Sequence, residues 1–309
     1  MKKIKGMTFA PFAKRGELEG NEVQKSLQTM IQNTGSNTVI LAPAGIQKTS
    51  HSTEINWNSE LTASDEELVA LINYAHSLGV QVFLKPTANT ANGEWRAFIS
   101  FFENDVPCEP KWSDWFRSYT AFQLHYARIA EETRCEMFIA GCEMVMTEHR
   151  EAEWRKVIES IRSVYNGPVS YNTDKYQEDH VKWWDCVDVI SSSGYYPEND
   201  WENQLDRIEK VVNKFQKPFF FAETGCMSTK GSAAVPNNWE VEGEISLEEQ
   251  RRWYEKAIHA ISRRSWMEGP VFWSWDRTLY SKEQAQSHRF YEVYEKPAEK
   301  LIAEYFHSL

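Results

Sequence analysis

The chain has 309 residues, and its 45 acidic and 34 basic side chains give a formal net charge of -11 at pH 7. Nucleic acids and anionic membranes bind basic surfaces, so this charge balance disfavours both as partners. The length allows either one large barrel or two smaller domains, each with a sizeable core.

Aromatic residues are frequent, with 13 Trp, 13 Tyr and 16 Phe. Most of them are expected to fill the core. Some lie in polar surroundings, such as Trp57 between two asparagines and Trp239 between Asn238 and Glu240. Flat apolar rings in an open cleft suit the C–H faces of sugars, so this subset suggests a carbohydrate ligand.

Five cysteines, at positions 108, 135, 142, 186 and 226, include no C-x-x-C pair. This spacing predicts neither a disulfide framework nor a zinc site and is typical of a reducing compartment. The basic start, Met1 to Lys5, is not followed by the apolar segment of a secretion signal, and no stretch is apolar enough to cross a membrane. We therefore expect a cytoplasmic protein.

Short apolar strands alternate with amphipathic helices along the chain. Strands are predicted at 7–13, 37–42, 80–86, 135–144, 169–172, 188–195, 218–225 and 270–276. Helices are predicted at 21–35, 64–79, 113–133, 151–165, around 183–184, at 201–216, from 246 onwards and at the end of the chain. The second helix opens with the capping-box pair Ser64 and Glu67 and is closed by Gly79.

Eight strands alternating with eight helices, without a linker-like break, predict one (β/α)8 TIM barrel over residues 1–309. A doubly wound open sheet is the alternative. In such barrels the active site lies at the carboxyl ends of the strands. Polar and aromatic side chains occur there in this chain: Lys85, Glu143, Asn172, Asp174, Tyr195, Glu223, Trp273 and Trp275.

The predicted fourth and seventh strands are apolar runs that end in Glu143 and Glu223. Burying a carboxylate is costly unless it is paired or used. Two carboxylic acids in a cleft with a tyrosine, a cation, amides and tryptophans match the needs of glycoside hydrolysis. One carboxyl group protonates the leaving oxygen while the other attacks the anomeric carbon or activates water.

At these positions the sequence resembles glycoside hydrolases of clan A, and within that clan it is most similar to family 113, the β-1,4-mannanases. The resemblance rests on an ordered set of stretches at 84–86, 93–96, 140–143, 184–185, 194–197 and 222–225. It implies that Glu143 is the acid/base and Glu223 the nucleophile of a retaining mechanism. The carboxyl groups are then expected about 5 to 5.5 Å apart, against about 6.5 to 9.5 Å for inversion.

The resemblance also implies roles for the surrounding residues. Tyr195 would orient the nucleophile and keep it ionised, with Tyr196 as its competitor. Trp273 would form the platform under the sugar at the cleavage point. Trp275 is the alternative, because strand alternation puts both tryptophans on one side.

Three further residues, Lys85, Trp95 and Arg96, would hydrogen-bond or stack on sugars in the glycone half of the cleft. Many clan members have Asn directly before the acid/base, where it binds the sugar 2-hydroxyl, whereas this chain has Cys142. Either Asn172 or Asp174 supplies that contact, or the preference at the 2-position differs. The axial 2-hydroxyl of mannose is compatible with an altered contact.

Several other classes fit less well. A metal-dependent barrel needs ligands at several strand ends, but most histidines fall in predicted helices or near the chain end. A phosphate-binding glycine loop and a G-x-S-x-G nucleophile motif are both missing from the sequence, and no cofactor is predicted. A non-catalytic carbohydrate-binding barrel, a β-mannosidase and a hydrolase of another β-glycan remain the rivals. The expected partner is β-mannan or a manno-oligosaccharide.

Overall fold

The computed structural model describes residues 3–309, and eight parallel strands close into a barrel. The strands are β1 Gly6–Phe9, β2 Thr38–Leu41, β3 Gln81–Leu84, β4 Met137–Cys142, β5 Val169–Thr173, β6 Val189–Ser193, β7 Phe219–Thr224 and β8 Met267–Trp275. Each strand pairs with the next, and β8 pairs with β1. The predicted barrel is therefore confirmed, and the doubly wound sheet is wrong because the ladder has no free edge.

The helices surround this barrel. They are α1 Asn21–Thr34, α2 Asp65–Ser77, α3 Trp112–Thr133, α4 Glu151–Arg162, α5 Trp201–Phe215, α6 Leu247–Ser262, α7 Lys282–Ser287 and α8 Pro297–Ser308. The capping box of Ser64 and Glu67 opens α2 as predicted. The helix predicted around 183–184 is instead a 3₁₀ turn, Trp184–Cys186. The indoles of Trp183 and Trp184 are buried, and each donates a hydrogen bond to a main-chain carbonyl.

Within residues 3–309, no helix combines the length and the apolar character that a membrane-spanning segment requires.

A second, two-stranded parallel sheet extends beyond the carboxyl ends of β2 and β3. It consists of Ala44–Gln47 and Thr87–Thr90, and Thr87 N–H donates to the Pro43 carbonyl at 2.9 Å where the extension begins. The long excursion predicted after β3 therefore starts as ordered structure. The second strand of this sheet, Thr87–Thr90, carries two residues that accept hydrogen bonds from Arg96.

Apolar side chains fill the barrel interior below its mouth. This inner cluster consists of Ile4, Ile40, Phe83, Met137, Ile139, Val189, Phe220, Ala222 and Val271. A larger cluster packs the outer faces of the strands against the helices. Functional side chains are therefore confined to the strand ends and the loops above them.

The strand before Glu143 and the strand that carries Glu223 each contain one extra residue. On β4, Ile139 pairs with Ser170 of β5 and Cys142 pairs with Asn172, so an advance of three residues along β4 matches an advance of two along β5. On β7, Phe221 pairs with Ser192 of β6 and Glu223 pairs with Ser193, so an advance of two residues along β7 matches an advance of one along β6. Such a bulge breaks the alternation of side chains, and it turns both Ala222 and Glu223 towards the inside of the barrel.

The bulge on β4 depends on Gly141, which has a φ of 119°. A Cβ atom at this position would lie 2.2 Å from the hydroxyl oxygen of Tyr119 on α3. A side chain there would therefore displace either the helix or the strand that carries Glu143.

We predict that Gly141→Ala lowers the free energy of unfolding by about 2 to 5 kcal/mol, because backbone strain and overpacking add together. Gly93→Ala is the matched control, since Gly93 has a φ of 81° but a Cβ atom added there would meet no other atom within 4 Å. It should cost only about 1 to 2 kcal/mol from its backbone conformation. Chemical denaturation measures both variants, and equal losses would contradict the steric account.

A third carboxyl group, Glu148, is buried behind β5. It accepts hydrogen bonds from Thr173 Oγ1 at 2.6 Å and from the Tyr171 hydroxyl at 2.8 Å. Tyr171 in turn accepts from the main-chain N–H of Met144, the residue after Glu143. Burial raises the pKa of Glu148 from 4.5 to about 8, despite these two hydrogen bonds.

This raised pKa predicts a pH-dependent stability. The folded protein holds a proton on Glu148 that the unfolded chain releases above pH 4.5, so the contribution of this group falls as pH rises from about 4.5 to about 8. The difference in free energy of unfolding between Glu148→Gln and wild type should therefore shift in favour of the variant between pH 5 and pH 8, by on the order of a few kcal/mol. Thermal denaturation at both values tests this, and a pH-independent difference would refute it.

Candidate active site

Glu143 and Glu223 lie together at the mouth of the barrel. Glu223 is on β7, and Glu143 directly follows β4. One carboxylate oxygen of each residue and the Cys142 sulfur all lie within 4.8 Å of one another. Both glutamates are buried, so each must be compensated by its neighbours.

Three side chains donate to the Glu223 carboxylate. Lys85 Nζ, at the end of β3, and the Cys142 thiol, 3.2 Å away, both contact Oε1. The hydroxyl of Tyr195 donates to Oε2 at 3.0 Å. Both oxygens of this carboxylate are therefore hydrogen-bonded to the protein.

These contacts keep Glu223 ionised. Burial by itself favours the neutral acid, but the charge and hydrogen bond of Lys85, followed by the charge of Arg96 and the hydrogen bond of Cys142, outweigh it and lower the pKa of Glu223. Burial and the charge of Glu223 raise the pKa of Tyr195 well above its usual range, so its hydroxyl remains a donor. Glu223 is consequently available as a nucleophile at neutral pH.

Glu143 is held by a separate set of donors. Ser193 Oγ donates to Oε1 at 2.7 Å, while Trp95 Nε1 and an Arg96 guanidinium nitrogen donate to Oε2 at 3.1 and 3.2 Å. Its main chain has a φ of 53°, and its N–H donates to the Asn172 carbonyl at 2.7 Å. Both the backbone and the carboxylate are thus oriented.

Arg96 links the two carboxylates electrostatically. Its guanidinium donates to Asn89 Oδ1 at 2.7 Å and to the Ala88 carbonyl at 3.2 Å, both on the short second sheet. Burial opposes its charge, but Cys142, Glu143 and then Glu223 raise its pKa. The guanidinium is therefore a permanent cation in the site.

Asn172 lies beneath the two carboxylates and is completely buried. Its amide donates to Ser193 Oγ at 3.0 Å and to a main-chain carbonyl, while its Oδ1 accepts from Lys85 Nζ at 3.2 Å. With these contacts and no exposed surface, Asn172 positions Lys85 rather than a sugar. Asp174 directly follows β5, is also buried, and contacts Lys175 at 3.1 Å.

Two alternatives from the sequence analysis lie outside the cleft: Tyr196, the competitor of Tyr195, and Trp275, the alternative platform. Tyr196 is fully buried, and its hydroxyl donates to Glu178 behind the barrel wall. Trp275 is also fully buried, and its indole N–H donates to Ser26 Oγ on α1 at 3.1 Å. For Trp275 the reason is an extra residue in β8 opposite β1, which breaks the alternation on which the prediction relied.

Trp273 is the tryptophan that faces the mouth of the barrel. Its ring lies 5.8 Å from Lys85 Nζ and 5.7 Å, edge to face, from Phe12. Phe12 follows β1 and is 56% exposed. The two rings form an apolar surface near Lys85 and Glu223, of the kind that stacks on sugar faces.

The sequence prediction missed three residues of this site: Phe12, Asn89 and Ser193. Ser193 had a usable signal, because it ends a run of three serines on a strand where inward and outward positions alternate. Asn89 and Phe12 had no such signal in the sequence. Asn89 lies on the extra strand Thr87–Thr90, and Phe12 lies in the loop after β1.

The only group of three closely spaced metal-ligating side chains among residues 3–309 is Cys142, Glu143 and Glu223. Lys85 and Arg96 already pair with the two carboxylates. The negative charge is therefore balanced by side-chain cations without a metal ion, which makes this group a poor cation site.

Comparison with known proteins agrees with this geometry. Residues 7–296 match the model of Glycoside Hydrolase Family 113. A solved complex of a GH113 β-1,4-mannanase is 50% identical, with a TM-score of 0.99 and 100% of both chains covered. The GH113 β-mannanase AaManA from Alicyclobacillus acidocaldarius, solved in complex with ManMIm, is 38% identical, with a TM-score of 0.96 over 100% of this chain and 98% of that chain.

A β-D-glucuronidase from Dictyoglomus thermophilum shares only the fold, with 16% identity and a TM-score of 0.69 over 100% of this chain and 51% of that chain. A comparison with curated protein sequences found no match. Since the family model and two relatives at 50% and 38% identity span nearly the whole barrel with both of its glutamates, the chain belongs to glycoside hydrolase family 113.

Proposed function

We propose that this family 113 glycoside hydrolase is a retaining β-mannanase that cleaves β-1,4-mannosidic bonds. The carrying observation is that one carboxylate oxygen of Glu143 lies within 4.8 Å of one carboxylate oxygen of Glu223. This spacing supports direct attack by one carboxylate, because inversion needs a gap of about 6.5 to 9.5 Å for water. The sugar preference is supported by the β-1,4-mannanases that the chain resembles at 38 to 50% identity.

In the first half-reaction, ionised Glu223 attacks the anomeric carbon while Glu143, in its protonated form, gives its proton to the glycosidic oxygen. Lys85 and Tyr195 hold the attacking carboxylate, and Trp273 lies under the sugar ring. The products of this step are a glycosyl ester on Glu223 and a free leaving sugar. Glu143, now a carboxylate, then takes a proton from the water that hydrolyses the ester and restores Glu223.

The residue before the acid/base suggests how a mannosyl ring is accommodated. The Cys142 thiol donates to Glu223, and its sulfur lies 3.8 Å from a guanidinium nitrogen of Arg96. A thiol is smaller than the carboxamide found there in many clan relatives. We propose that this space and the neighbouring Arg96 suit the axial 2-hydroxyl of mannose.

We also propose that the protein works in the cytoplasm on imported manno-oligosaccharides. Its five free cysteines, three of them buried, are in keeping with a reducing compartment.

Replacing either glutamate should separate the two half-reactions. Glu223→Ala should lower kcat on a dinitrophenyl β-mannoside by at least about 10⁴-fold, because no glycosyl-enzyme can form. Glu143→Ala should retain the first step with this activated leaving group and then accumulate the glycosyl-enzyme, visible as a burst of dinitrophenol. Glu159→Ala, an exposed position on α4, is the control. Substantial turnover by Glu223→Ala would contradict the assignment.

Sugar preference is tested by incubating the enzyme with mannohexaose, cellohexaose and xylohexaose and analysing the products. We expect mannohexaose to be cleaved at least about tenfold faster than the other two, because a site that contacts the axial 2-hydroxyl of mannose rejects glucose and xylose, whose 2-hydroxyls are equatorial. Retained anomeric configuration should appear by NMR in the first product. Faster cleavage of another hexaose would assign the enzyme to that glycan, and binding without cleavage would support a non-catalytic barrel.

A further inference from the structure

The main chain at Glu143, the acid/base of the proposed mechanism, has a left-handed conformation that a glutamate rarely adopts. Its φ is 53°. Such a conformation is disfavoured for any residue with a Cβ atom, and it persists only where the surrounding structure holds it. Relaxation of this backbone would rotate the Cα–Cβ bond and move the carboxyl group away from the glycosidic oxygen. The contacts that hold the backbone therefore also hold the acid.

Two consecutive peptide N–H groups are held here by two consecutive residues of β5. The Glu143 N–H donates to the main-chain carbonyl of Asn172 at 2.7 Å. The Met144 N–H donates instead to a side chain, the Tyr171 hydroxyl, at 3.1 Å. Tyr171 belongs to the cluster between the strands and the helices, so it acts from outside the barrel wall. Half of the attachment thus depends on one phenolic oxygen.

Glu148 fixes the direction of that hydroxyl group. A phenol has a single hydrogen to donate, and Tyr171 donates it to Glu148 Oε1 at 2.8 Å. Thr173 Oγ1 donates to the same carboxyl oxygen at 2.6 Å. With its hydrogen committed to Glu148, the Tyr171 oxygen is left to accept from the Met144 N–H.

The segment between Glu143 and Glu148 is attached at both ends. Residues 145–147 form a 3₁₀ turn, and the Glu148 carbonyl accepts from Trp183 Nε1 at 3.0 Å. The ring of Trp183 packs against the fully buried ring of Tyr171, with 4.8 Å between their centroids. Glu148 therefore ends the segment and also orients the group that holds its start.

The chemical state of Glu148 suits this role. Because burial raises its pKa to about 8, it is an uncharged acid at neutral pH, and its carbonyl oxygen can accept both hydrogen bonds. Glu148 is 5% exposed and Tyr171 is completely buried. Both lie behind the barrel wall and act on the site through Met144, so they are positioning residues.

We infer that Glu148, through the Tyr171 hydroxyl, sets the main chain of Glu143 and Met144 and thereby the position of the acid/base carboxyl group. This role deepens the proposed function and rests on it. Loss of the contact impairs the two steps in which Glu143 transfers a proton, and it spares the attack by Glu223. The inference therefore predicts a defect that depends on the leaving group.

Tyr171→Phe tests this by removing the hydroxyl group and keeping the ring. Its kcat/KM on mannohexaose should fall by about 10- to 100-fold, since small misplacements of a catalytic group have effects of this size. On dinitrophenyl β-mannoside kcat/KM should change by less than about threefold, because the phenolate leaves without protonation. The kcat on this substrate should still fall, since Glu143 is the base that activates water in the second step.

Azide provides a readout that a purely structural defect would not change. The azide anion attacks the anomeric carbon of the glycosyl-enzyme and displaces the Glu223 carboxylate, and it has no proton to lose. It should therefore raise the kcat of Tyr171→Phe on the aryl mannoside and give mannosyl azide, while wild type gains little.

Tyr165→Phe is the matched control. Tyr165 is also buried, and its hydroxyl donates at 2.7 Å to the carbonyl of Cys135, ahead of the other end of β4. This variant loses a comparable hydrogen bond and should keep its activity on both substrates within about twofold.

Two substitutions of Glu148 separate its shape from its acceptor. Glu148→Gln keeps a carbonyl oxygen and should retain most of the activity on mannohexaose, whereas Glu148→Leu should show the same selective loss as Tyr171→Phe. If the leucine variant does not fold, Tyr171→Phe decides the matter. Wild-type kinetics of Tyr171→Phe, equal losses on both substrates or no effect of azide would overturn the inference. Inactivity of the wild type on both substrates would instead refute the proposed function.

Discussion

The ion pair between Lys85 and Glu223 is the interaction on which the rest of the site depends. It joins β3 to β7, which are opposite each other in the barrel, and both side chains are nearly inaccessible to solvent. An isolated buried carboxylate would take up a proton and lose its nucleophilicity. Lys85 prevents this, and the pKa of Glu223 is lowered in spite of its burial. Asn172, Cys142 and Tyr195 extend the same network.

The second carboxylate is organised on different principles. Glu143 receives donors from a serine on β6 and from the connection after β3, and Arg96 there is anchored by the short second sheet. Its donors thus include loop groups that do not belong to the barrel. A rigid strand holds Glu223, while a loop shapes the surroundings of Glu143.

Backbone irregularities decide where the key side chains point. Extra residues in β4 and β7 precede Glu143 and Glu223, and one in β8 separates the orientations of Trp273 and Trp275. Bulges of this kind re-aim side chains next to active sites. They are local departures from a period of two, and an apolar strand such as 219–222 gives no sign of them in its residue types.

The sequence by itself determined the barrel, its strand order and the two glutamates, because apolar runs that alternate with amphipathic helices and end in a carboxylate are local patterns. Tertiary structure alone decided that Lys85 lies on Glu223, that Tyr195 rather than Tyr196 faces it, and that Trp275 and Asn172 are withdrawn from the cleft. It also placed Lys175 next to Asp174 and over the ring of Trp95. These outcomes depend on barrel closure and on single-residue bulges, which set contacts between residues far apart in the chain.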